Sequence, residues 1–129
     1  MEFTHACKDG DLNRVRELLA LTGDRRVNVH AGDEEAFSWA CEQGHLDVVR
    51  ELLALTGDRR INVHTDNELA FQLTCEKGHL NVVRELLALT GDRRVDVHAD
   101  EDWAFREACD FNRAAVVREL LALTGDRRI

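Results

Sequence analysis

The stretch VRELLALTGDRR stands at residues 15–26, 49–60, 83–94 and 117–128, letter for letter the same and always 34 residues apart. A catalytic motif is rarely wanted four times in register, whereas a structural brick is. Fixed-period self-similarity of this length marks an array of stacked supersecondary units. The block therefore builds the protein, and function is expected in what differs between the copies.

Outward from the block, each unit reads as two helices. In the second unit, Phe37, Ala40, Cys41 and Gly44 follow i, i+3, i+4, i+7 spacing, which predicts a short helix with one apolar face. Asp33 and Glu34 suit its N-terminus through the helix dipole, and Gly44 suits its C-terminal stop. A second helix follows in HLDVVRELLAL, where Leu46, Val48, Val49, Leu52, Leu53 and Leu55 make a broad apolar stripe and Thr56-Gly57 ends it. Ile61 and Val63 then alternate with Asn62 and His64, as in an extended segment or hairpin arm. No unit can bury both apolar faces alone, so the units must stack. The expected fold is all-α with short extended loops: one repeat domain over residues 1–129, with repeats at about 1–32, 33–66, 67–100 and 101–129.

Composition narrows the function. Apolar residues make up 44% and charged residues 33% of the chain, which suits a folded domain, and proline is absent, so nothing interrupts the helices. No apolar run reaches the roughly 20 residues of a membrane helix, and the first ten residues lack the apolar stretch of a signal peptide. A soluble cytoplasmic protein is expected. The net charge is −8; the block carries +1 per copy, +4 over four, which leaves −12 for the variable parts. That argues against nucleic-acid binding, which needs a basic footprint.

Cys7, Cys41, Cys75 and Cys109 also recur every 34 residues. Units stacked at roughly 8–10 Å hold such thiols beyond the ~7 Å limit for a disulfide, and a ladder cannot converge on one zinc ion. Buried core thiols are expected. The same reasoning gives His30, His64 and His98 to hydrogen bonding in the loops. The pairs Arg25-Arg26, Arg59-Arg60, Arg93-Arg94 and Arg127-Arg128 each follow a helix C-terminus beside an Asp, which predicts local bridging within the loop. No Gly-rich phosphate loop and no nucleophile with a nearby base is found, so neither an enzyme nor a cofactor site is expected.

The stretch AFSWACEQGHLDVVRELL at residues 36–53 resembles the ankyrin repeat, usually written x-P-L-H-x-A-A-x-x-G-H-x-x-V-V-x-x-L-L. Phe37 stands for the Leu, Ala40-Cys41 for Ala-Ala and Gly44-His45 for Gly-His, with Val48-Val49 and Leu52-Leu53 completing the match. It recurs at 70–87 and more loosely at 104–121 and 2–19, so it spans the chain. The tetratricopeptide repeat shares the 34-residue period but has longer helices and a closing Pro. The chain departs from the ankyrin pattern at Thr-Pro-Leu-His, replaced by Glu35-Ala36-Phe37-Ser38 and its equivalents, and its loop is one residue longer. His45 and His79 fall at the family's Gly-His, where the imidazole supports the turn into the second helix.

The resemblance implies protein binding on a concave face built from first helices and finger loops. Trp39 points away from the Phe37 side of its helix, and its equivalents are His5, Leu73 and Glu107. Trp103 stands at a finger base and Phe111 replaces Gln43 and Lys77. Aromatic residues are the usual anchors of interfaces. The candidate partner-binding residues are thus Trp39, Leu73, Trp103, Glu107 and Phe111, with Asp66, Asp100, Glu101 and Asp102 steering a basic protein partner. No metal, nucleic acid or membrane partner is expected. A monomer is expected; the alternative is a scaffold segment, or a repeat written from a consensus, without a specific partner and self-associating end to end. Arg16, Glu17, Ala20 and Arg25, expected to be exposed, are invariant in all four copies, which points to recent duplication or consensus design. The last helix lacks polar capping substitutions and is expected to fray first.

Overall fold

The computed structural model describes residues 2–129, and its elements keep the 34-residue period. Among the described residues there are eight α-helices and no strands: α1 (Glu2–Asp9), α2 (Leu12–Leu19), α3 (Ala31–Glu42), α4 (Leu46–Leu53), α5 (Thr65–Lys77), α6 (Leu80–Leu87), α7 (Ala99–Asp110) and α8 (Ala114–Leu121). The protein is a helical repeat array. Odd-numbered helices pack closely on their neighbours along the array, while even-numbered helices touch theirs sparsely. The first helices thus form the closely packed inner layer and the second helices the outer one.

The core follows the apolar stripes. Phe3, Phe37 and Phe71 fill the first-helix layer, and Leu52, Leu86 and Leu120 the second, all essentially inaccessible to water. Each inner helix stops at a residue in the left-handed region: Gly44 (φ 74) and Gly78 (φ 77), with Asn112 (φ 58) in the glycine's place in the last repeat. The ring of His79 packs where a Cβ on Gly44 would sit, 2.5 Å from it. His79 Nε2 donates to the Glu42 carbonyl at 2.8 Å and His45 Nε2 to the Lys8 carbonyl at 2.8 Å. These imidazoles support the turn by tying it to the preceding repeat.

The fingers differ from the sequence reading. After each second helix come a 3-10 turn (Gly57–Arg59 in the second repeat) and an extended stretch burying Ile61 and Val63, with no hairpin. The acids expected at the start of the first helix stand there, but in a left-handed turn rather than in right-handed helical backbone. Gly32, Asp33 and Glu34, then Asp66, Asn67 and Glu68, then Asp100, Glu101 and Asp102, all have φ between 53° and 71°. That conformation costs roughly 1–2 kcal/mol for each L-residue, so something outside the turn must hold it.

The clamp comes from the histidine four residues earlier and from the next repeat. His30 Nδ1 lies 2.6 Å from the buried Glu34 carboxylate, whose other oxygen accepts from Asn62 N–H at 2.6 Å. His30 Nε2 donates to the Asp58 carbonyl at 2.7 Å. The same set recurs with His64, Glu68, Asp96 N–H and the Asp92 carbonyl. In the last finger the shorter Asp102 bonds His98 at 2.6 Å, and His98 reaches the Asp126 carbonyl at 2.7 Å. The loop histidines are therefore structural hydrogen-bonding groups.

The arginine pairs also bridge repeats rather than closing their own loop. Arg26, Arg60 and Arg94 each chelate the aspartate of the following copy, Asp58, Asp92 and Asp126, through two bonds of 2.7–3.1 Å. Their neighbours reach backward: Arg59, Arg93 and Arg127 donate at 2.8 Å to the carbonyls of Leu19, Leu53 and Leu87, each the last residue of a second helix. Arg16, Arg50 and Arg84 donate at 2.9–3.0 Å to Glu51, Glu85 and Glu119. Arg16, Glu17, Ala20 and Arg25 are exposed, as expected, yet Arg16 and the later equivalents of Glu17 and Arg25 bond across repeats.

The two ends are unlike. Where interior repeats bury Ala36, Ala70, Val48 and Val82, the first repeat carries Glu2 and Arg14, which pair with each other. At the other end Cys109 is exposed, unlike the buried Cys7, Cys41 and Cys75. Leu121 is 58% and Phe111 48% exposed. Burial alone pushes the Cys7 thiol up to about 12.

Candidate functional site

Trp39 reaches the inner face because α3 spends Phe37, Ala40 and Cys41 on the core, leaving the flank between them for a half-buried indole. It forms a wall of a cavity of about 200 Å³ between α3 and α5, based on Leu69 and Leu73. Asp33 and Asp66 come to its rim from the two left-handed turns, and Glu35 and Glu42 from α3. Trp39 Nε1 donates to Glu35 at 3.3 Å, and Lys77 Nζ is 4.0 Å from Glu42. On the α1 side the indole borders another cavity of about 210 Å³, shared with His5 and Lys8. The Lys8 ammonium lies 4.1 Å from the ring centroid.

Of the nine residues singled out from the sequence, the structure brings Trp39, Leu73 and Asp66 together in this cavity. The others stand apart from it. Trp103 is 41% exposed, with the Arg106 guanidinium 5.3 Å from its ring centroid. Glu107 follows one turn on along α7, and Phe111 caps that helix in solvent. The finger acids have prior engagements: Asp100 accepts from Asn67 at 2.7 Å and Gln72 at 3.3 Å, and Asp102 is held by His98. Glu101 remains exposed on the turn.

Sequence reasoning missed Leu69, Glu42 and Lys8 as parts of this site. Glu42 was legible, three residues after Trp39 on the same flank of a helix. Lys8 was not, since its approach to Trp39 depends on how two repeats stack. Glu34 was read as a helix N-terminal acid, although the histidine four residues before it was the sign of a local pair, as His64 is for Glu68.

Among the described residues, no group of three or more His, Cys, Asp or Glu side chains is placed to hold a metal ion, and no helix is long and apolar enough to cross a membrane. No protein-family model matches the chain, and no curated protein matches it.

Proposed function

We propose that this chain is a non-catalytic protein-binding module of ankyrin-like build, which holds a basic protein partner against its first-helix face in the cytoplasm. The observation that carries the reading is the cavity at Trp39, where an indole, two leucines and four carboxylates converge on a rigid inner surface. In the two interior copies of the repeated block the charged residues are consumed in bonds between repeats. An anchor ring beside four acids, of which among the described residues only Glu42 has a basic neighbour in Lys77, suits an interface core with a steering field. The excess of acid on the variable positions speaks against nucleic acid.

The test is affinity capture with the wild type beside a Trp39→Ala/Trp103→Ala/Glu107→Lys variant whose melting curve is unchanged by circular dichroism. A partner retained by the wild type and lost by the variant supports the module and its face. Equal retention by both would move binding to another surface, and no retention by either would remove the reading.

A second reading, end-to-end self-association, draws on the apolar surface that the last repeat exposes at Leu121 and Cys109. Against it stands the first repeat, whose Glu2–Arg14 pair presents charge where an interior repeat presents alanine and valine.

A further inference from the structure

Trp39 separates two unequal surroundings. On the α1 side its ring already receives a cation, the Lys8 ammonium 4.1 Å from the centroid. That distance is well inside the range in which an ammonium is attracted to the face of an indole. On the α5 side the cavity of about 200 Å³ contains no cation among its lining residues, yet it gathers Asp33, Glu35, Glu42 and Asp66. Lys77, 4.0 Å from Glu42, is the nearest cationic side chain paired with any of them.

We infer that this cavity receives one cationic side chain, a lysine or arginine from an extended segment of the partner, laid against Trp39. The inference rests on the reading of the first-helix face as a binding surface and names the chemistry it selects. The volume is below the roughly 300–1,000 Å³ of sites that hold small molecules and cofactors, so the occupant is a side chain rather than a whole ligand. A purely apolar side chain would satisfy Leu69 and Leu73 but would strip water from the carboxylates without replacing it. An acidic one is repelled. A long aliphatic stem with a cationic tip satisfies both halves, with the stem on the leucines and the tip among the carboxylates. The site is single: the equivalents of Trp39 are His5, Leu73 and Glu107, and none supplies an indole.

The test uses the full chain and short Gly/Ser peptides that differ only at one central residue: lysine, arginine or norleucine. The two indole N–H resonances report binding, and a Trp103→Phe variant assigns them. The lysine and arginine peptides are expected to shift the Trp39 resonance saturably, and the norleucine peptide to bind about tenfold more weakly. Glu42→Gln/Asp66→Asn, which preserves shape, is expected to weaken the cationic peptides about fivefold or more and to flatten their salt dependence. Equal binding of norleucine and lysine would overturn the inference, leaving an apolar groove. A shift confined to Trp103 would also overturn it, while keeping the inner face as the binding surface. Silence at both indoles would overturn it too, and the capture experiment alone would then decide the parent reading.

Discussion

Raising the pH should loosen this array, and the reason lies in the three histidine rungs. In each, both ring nitrogens face acceptors: for His30, the Glu34 carboxylate and the Asp58 carbonyl. An imidazole satisfies two acceptors only when doubly protonated. The Asp58 carbonyl foremost, then Glu34, raises the His30 pKa above its ordinary 6.5 against the cost of desolvation. Burial is the largest single influence on His64 and lowers its pKa, but the Asp92 carbonyl and Glu68 together outweigh it. Asp102 foremost, then the Asp126 carbonyl, raises His98. Because the folded protein holds these protons more tightly, the stabilisation is full below about pH 6.5 and disappears as pH rises through the folded values. One proton per rung limits the slope to about 1.4 kcal/mol per pH unit, or about 4 for three rungs. The rings are 37–40% exposed, and solvent screening reduces this; a loss of about 1–3 kcal/mol between pH 6 and 8.5 is expected. Urea midpoints across that range measure it, with a His30→Gln/His64→Gln/His98→Gln variant in parallel. Carboxylates titrate lower, and His5, His45 and His79 are common to both proteins, so the difference isolates the rungs. A wild-type midpoint that holds or rises with pH, or an equal fall in the variant, would refute the reasoning.

Other consequences are equally direct. Arg93→Ala removes a charged donor from the Leu53 and Ile61 carbonyls and is expected to cost about 2–4 kcal/mol in urea unfolding. Its first-repeat equivalent Arg25 is exposed and reaches no helix carbonyl among the described residues, so Arg25→Ala should stay within about 0.5 kcal/mol. Alkylation at neutral pH, followed by mass spectrometry, should modify the exposed Cys109 alone, since burial pushes Cys41 up to about 12 and Cys75 still higher. Amide exchange should be faster in α8, where only Val116 and Leu120 are buried, than in α6, which buries Val82, Val83 and Leu86; equal protection would contradict the burial argument. Glu2→Ala/Arg14→Val would give the first repeat an interior-type face, and light scattering should then show concentration-dependent head-to-tail association absent from the wild type.

What the sequence made legible was local. The 3.6-residue spacing of Phe37, Ala40 and Cys41 and the stops at Gly44 and Gly78 are properties of single helices, and the helices stand where that spacing puts them. The left-handed fingers were hidden because Asp, Asn and Glu suit a helix N-terminus as well as a turn. The interaction that decides between these, Glu68 accepting from Asp96 N–H, joins residues 28 apart. Arg26 beside Asp24 looks like a loop pair, yet its partner Asp58 lies 32 residues on. Cys109 is indistinguishable from Cys41 in type and phase, yet one is exposed and the other buried, a difference that only the packing of the array reveals. The candidate site shows the same division: Trp39, Leu73 and Asp66 were found by phase on a helix or finger, whereas Lys8 needed the stacking itself.

The identity of the repeated block follows from the kind of interface it makes. Each junction takes one half of its bonds from one copy and the other half from the next: Arg60 to Asp92, Arg50 to Glu85, Arg93 back to the Leu53 carbonyl. A heterologous contact of this kind requires every interior copy to carry both halves. Changing Asp58 alone strands Arg26 behind it, while Arg60 of the same copy still needs Asp92 ahead. A change is therefore neutral only if made in neighbouring copies together, and the invariance of Arg16, Glu17 and Arg25 has a structural cause beside any history of duplication or design. Variety is found instead in the first helices, in the fingers and in the opening turn of the second helices. Even there the finger acids that meet a neighbour keep their type: Glu34 and Glu68 each accept from a backbone N–H of the next repeat.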